Sequence, residues 1–122
     1  MERLFIFLGA LGGFLGVALG AFGAHVLRDR LAPGMAQVWE TGVHYQLIHA
    51  LALVVVGLAF SRLSQALLKP AGWAFAIGIL FFSGSLYALA LTARPIFGPI
   101  TPIGGVSFLV GWALLAIAAL RA

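Results

Sequence analysis

The sequence predicts an all-α integral membrane protein, a four-helix bundle with both termini on the same side. Three observations carry this. Apolar residues make up 63% of the 122 residues and charged residues 8%, against roughly 25% charged in soluble domains. Four apolar stretches are each long enough to cross about 30 Å of hydrocarbon. Each is bounded by charge or proline: Glu2 and Arg3, Arg28 to Arg30, Arg62 and Lys69, Arg94 and Arg121. A soluble fold of this size could not hide so much apolar surface, and disordered chains are poor in apolar residues. Helices satisfy their backbone groups within one segment, as lipid demands. The short alternating segments of a membrane barrel are not seen.

The expected helices cover about 4–27, 36–60, 70–93 and 102–120, in one domain, 1–122. The first apolar run exceeds the 7–15 residues of a signal-peptide core, so it reads as a retained span. Met35 to Glu40 form a helical lead-in to the second helix, with Trp39 expected at headgroup depth and Gly42 as a bend. Pro70 and Pro102 sit where the third and fourth helices should begin, since proline is tolerated at the first helical position. Three prolines keep Ala93 to Pro102 from being α-helical throughout. That apolar segment reads as a stiff connector or as a lid over one end of the bundle.

The charge balance is +4, with the basic residues single and scattered. They read as membrane-flanking anchors, so the partner is the lipid bilayer and not nucleic acid. Arg3, Arg62, Lys69 and Arg121 on one side outnumber Arg28, Arg30 and Arg94 on the other, which favours cytoplasmic termini. Cysteine is absent, which removes disulfides, thiolate chemistry and Cys-ligated zinc or iron–sulfur clusters.

Two features stand out within the spans. Gly9, Gly13, Gly16, Gly20 and Gly23 recur at alternating spacings of four and three, a seam that lets another helix approach closely. Its partner is another helix of the bundle, or a second copy in a homo-oligomer through helix 1. The other feature is a polar cluster near one membrane face. His25 ends helix 1; Glu40, Thr41, His44, Tyr45, Gln46 and His49 lie early in helix 2; Ser83, Ser85, Tyr87, Thr92 and Arg94 lie late in helix 3. His49 and Ser83 fall at matching depths, about 12 and 13 Å in at helical rise. Glu40 pairs in sequence with His44, and Arg94 offers it a cross-helix counter-charge. Ionisable groups in a span are expensive and face the bundle interior.

The cluster supports a ligand or proton site, with His49 as its deep group, or a network that fixes helix register. A metal or haem is not expected, since His44 and His49 are five residues apart and diverge by about 140°. No nucleophile-elbow motif supports a serine hydrolase, no catalytic residues are assigned, and no cofactor is implied.

Four motifs in order then carry a resemblance. Gly20-Ala21-Phe22-Gly23-Ala24-His25, Tyr45-Gln46 with His49-Ala50-Leu51-Ala52-Leu53, Phe82-Ser83-Gly84-Ser85-Leu86-Tyr87, and Thr101-Pro102-Ile103-Gly104-Gly105 with Gly111-Trp112 resemble the YgdD-like family of small four-helix membrane proteins. The resemblance implies four membrane helices and a bacterial inner-membrane location. It implies no activity. The functional expectation is therefore a membrane protein that binds or passes a small solute or proton at the cluster. The rival expectation is a structural or assembly protein with the cluster as internal scaffolding.

Overall fold

A computed structural model describes residues 1–121, and all regular structure among them is helical. Helix α1 (Glu2–Phe22) continues into a π turn, Gly23–Leu27. Helix α2 spans Met35–Ala59. The third span is α3 (Gln65–Gly78), a π turn at Ile79–Ser83 and α4 (Gly84–Thr92). A 3-10 segment, Pro95–Ile100, leads into α5 (Thr101–Leu120). The four spans have 26, 25, 28 and 26 residues, each longer than about 30 Å at helical rise.

The third helix begins five residues before Pro70. Ser64 is extended, and its carbonyl accepts from the N–H groups of Leu67 and Leu68 at 3.1 and 2.9 Å. Pro70 then lies in the second turn, where its missing N–H leaves the Ala66 carbonyl without a helical donor. Ala66 is exposed, while Leu68, which the early start delivers to the core, is fully buried. Pro102 behaves as expected, in the first turn of α5.

Packing alternates the spans in direction. Phe5, Phe60, Leu68 and Ala118 share one apolar cluster, so the start of α1, the end of α2, the start of α3 and the end of α5 meet at one end. A second cluster of Leu27, Trp39, Val43 and Ala90 closes the other end. Helix α2 is the central element and the most buried of the four spans.

The glycine seam works inside the chain. A Cβ on Gly9 would lie 2.6 Å from the Ala50 carbonyl oxygen and 2.8 Å from the Val54 nitrogen. Gly16 faces Leu47 and Gln46, Gly20 faces Val43, and Gly23 faces the Trp39 indole. Only Gly13 of the five has open space beside it. The seam's partner is thus α2 of the same chain, and that face is not free for a second copy. Gly57 lets the same helix pair close from the other side, against Ile6 and the Glu2 carbonyl.

Trp39 is buried against the first span, and its indole N–H donates to the Leu19 carbonyl at 2.9 Å. Gly23 removes the side chain that would block this contact. Gly42 is a contact point rather than a bend, since α2 runs through it unbroken and a Cβ there would meet the Tyr87 ring at 2.9 Å.

Two clefts and a polar layer as the candidate functional site

Between the two apolar clusters lies a layer of polar side chains. Gln46 joins three spans there. Its Nε2 donates to the Gly12 carbonyl at 2.8 Å, and its Oε1 accepts from the Tyr87 hydroxyl at 2.6 Å. Ser83 is fully buried and its Oγ donates to the Gly42 carbonyl at 2.7 Å. Ser85 donates to Phe82 and shares a 2.6 Å hydrogen bond with Thr101. Ser107 of α5 donates to the Ala74 carbonyl of α3 at 2.6 Å. No buried side-chain nitrogen or oxygen among the described residues lacks a partner. Each such bond adds about 0.6 kcal/mol on average in a membrane, up to about 1.7. The Ser83→Ala variant should therefore lose about 1 kcal/mol, read as a modest fall in thermal midpoint in mild detergent. The Gly42 carbonyl keeps its place in the helix, so no orphaned acceptor enlarges the loss.

His49 belongs to this layer but not with the expected neighbours. The Trp112 indole donates to its Nε2 at 3.0 Å, and its Nδ1 lies 2.7 Å from the Tyr45 carbonyl. An indole N–H can only donate, so Nε2 is the acceptor and Nδ1 carries the hydrogen. One neutral tautomer satisfies both contacts. The ring also stacks on Phe108, with centroids 3.5 Å apart and planes 7° apart. Depth matching brings α2 and the third span together as expected, through Gln46–Tyr87 and Gly42–Ser83. His49 itself turns to α5 and meets Trp112 and Phe108, which no spacing pattern links to it.

The outer members of the cluster separate. Glu40 and His44 are exposed and line an open cleft of about 470 Å³ between the end of span one and the start of α2. Its walls include Gly20, Ala24, Trp39, Val43 and Leu47, and Arg28 adds a guanidinium. Arg28, by sequence a membrane-flanking anchor, is brought here by its place one residue after the π turn. His25 is exposed and outside this lining. Arg94 is also exposed and does not join Glu40. The helix ends at Thr92, Ala93 takes a left-handed conformation (φ 54°), and the chain turns away before Arg94. The 3-10 segment after it packs on α4 and α5 and has no buried residue.

Tyr45 lines a second, shallower groove of about 530 Å³ on the lipid-facing side, with Phe82, Gly105, Phe108 and Trp112. Each cleft is edged by one of the two π turns: Gly23 and Ala24 at the first, Phe82 at the second. Single π turns within helices occur often at functional sites. Among the described residues no three His, Asp or Glu side chains gather into a metal-binding group.

This architecture defines a small polytopic helical membrane protein, with four spans around a satisfied polar layer. Its sequence matches the family described as "Protein of unknown function (DUF423)" over residues 19–105, and the chain belongs to that family. It is 50% identical to a "UPF0382 membrane protein" of Staphylococcus epidermidis over 119 residues, 98% of this chain and 97% of that one. It is 46% identical to "UPF0382 membrane protein YwdK" of Bacillus subtilis, covering 98% of both chains. It is 41% identical to "UPF0382 inner membrane protein YgdD" of Escherichia coli K12, covering 98% of this chain and 92% of that one. No solved structure matches it.

Proposed function

We propose that the chain binds a zwitterionic headgroup, free or lipid-borne, in the cleft between its first two spans. The observation that carries this is the cleft's composition: Arg28, Glu40 and His44 around apolar walls. A guanidinium suits a phosphate, and a carboxylate suits an ammonium. His44 adds a hydrogen-bonding group to the same lining. Val43 and Leu47 extend the cleft into the span, where the first methylenes of a lipid chain would lie. The inner members, His49, Ser83, Ser85 and Tyr87, then serve as scaffold that holds the helices in register. Their engaged polar atoms favour binding at the cleft over passage of a proton or solute through the centre.

The protein sits in the bacterial inner membrane with cytoplasmic termini. The printed name of the Escherichia coli relative supports the location. The orientation rests on Arg3, Arg62, Lys69 and Arg121 against Arg28, Arg30 and Arg94. The cleft then opens on the non-cytoplasmic side.

The test is native mass spectrometry of protein released from nanodiscs of equal phosphatidylethanolamine, phosphatidylglycerol and phosphatidylcholine, with and without soluble phosphoethanolamine. Wild type should retain phosphatidylethanolamine preferentially. Glu40→Gln should reduce that preference about tenfold, the scale of one hydrogen bond to a charged group. Competition by phosphoethanolamine would mark the headgroup as sufficient. The same lipid distribution on wild type, Glu40→Gln and Arg28→Gln would refute the reading.

A further inference from the structure

The headgroup cleft holds a side chain whose charge is not fixed. Of the three histidines, His49 is buried with both ring nitrogens engaged, and His25 is exposed outside the cleft. His44 is exposed and lines the cleft itself. The other charged groups of that lining are Arg28, from the end of the first span, and Glu40, on α2. Asp29, Arg30 and Arg94 are exposed and lie outside it. On the other side of α2, α4 contributes Tyr87, whose hydroxyl is held by Gln46. Helix α2 runs unbroken through Glu40 and His44, so the two side chains stand one turn apart on one face, placed to pair when both are charged. With a neutral imidazole the lining carries one cation, Arg28, and one anion, Glu40. With an imidazolium it carries a second cation.

We infer that His44 selects the headgroup class by its charge: the cleft takes zwitterionic headgroups while the imidazole is neutral, and anionic headgroups without an ammonium once it is protonated. The inference rests on the headgroup reading of this cleft. A zwitterionic phosphodiester matches the neutral-imidazole lining charge for charge, phosphate on Arg28 and ammonium on Glu40. An imidazolium at His44 supplies the second cation from within the chain. It engages the Glu40 carboxylate from one turn away, so an incoming ammonium meets an occupied acceptor and a like charge. A phosphate meets two cations instead of one. Imidazole is the side chain that ordinarily changes charge between about pH 5 and 8, a range over which phosphodiester and primary ammonium groups keep theirs.

The test equilibrates the full chain in nanodiscs of equal phosphatidylethanolamine and phosphatidylglycerol at about pH 7.5 and about pH 5.5, either side of ordinary imidazole titration, and counts retained lipids by native mass spectrometry. In wild type the ratio of retained phosphatidylethanolamine to phosphatidylglycerol should fall about fivefold on acidification, the scale of one charge-assisted contact discounted for exposure. His44→Gln should give one ratio at both pH values. His44→Lys should give a low, phosphatidylglycerol-rich ratio at both. His25→Gln should keep the wild-type shift. A pH-independent ratio in wild type, or a shift that survives His44→Gln or is lost with His25→Gln, would overturn the inference while leaving a phosphatidylethanolamine preference at the higher pH intact. No lipid preference at either pH, in wild type or in Glu40→Gln, would instead remove the headgroup reading and this inference with it.

Discussion

Replacing His49 with alanine should lower the stability of the bundle by about 3 kcal/mol, the largest effect expected of any single polar substitution here. Three losses add. The ring leaves a cavity where it stacks on Phe108 and touches Phe75. The Trp112 indole N–H loses its acceptor in a region without water. The tie to the Tyr45 carbonyl also goes. His49→Phe separates these terms, because it restores the stack and not the hydrogen bonds. It should recover about half of the loss. Thermal unfolding in mild detergent reads both. If His49→Ala unfolds at the wild-type temperature, His49 is not a structural tie.

Gly9→Ala should destabilise by several kcal/mol, while Gly13→Ala, four residues along the same seam, should be within about 0.5 kcal/mol of wild type. The difference lies in what stands opposite. At Gly9 the new methyl meets backbone atoms of α2, the Ala50 oxygen and Val54 nitrogen, which move only if the helices separate. At Gly13 it meets nothing within 4 Å. Separating α1 from α2 forfeits the close packing that drives helix association in lipid. Paired thermal melts measure it. Equal tolerance at both positions would mean that α1 and α2 are not packed along this face.

The contrast also shows where sequence reading reached its limit. Spacing alone places Gly9 and Gly13 in one seam, because a 3.6-residue helix puts both on one face. It cannot say which of them sits under a neighbour's backbone. The four spans were legible because lipid leaves few alternatives: apolar length and flanking charge decide them. The third helix's true start was not, since Pro70 is the stronger local signal and burial of Leu68 is a tertiary effect. The polar cluster was found but not its division. Facing angles on α2 put Glu40 and His49 half a turn apart, which already implied different neighbours. That the inward neighbour is Trp112 depends on how α5 docks, and nothing in the spacing of α2 reports that. Arg28 was within reach, as a guanidinium beside a glycine-rich helix end; Gln46 was placed in the cluster, but its role in joining three spans depends on how its neighbours dock. Arg94 was misplaced because Ala93 adopts a left-handed conformation that its residue type does not announce.

The account's central claim is that the polar residues divide into an inner scaffold and an outer site. The most direct measurement takes Glu40→Gln and His49→Phe through thermal unfolding and lipid retention on the same samples. Glu40→Gln should lose its preference for phosphatidylethanolamine at an unchanged thermal midpoint. His49→Phe should melt lower yet keep that preference while folded. The reverse pattern, with His49→Phe losing lipid at full stability and Glu40→Gln melting early, would contradict the division.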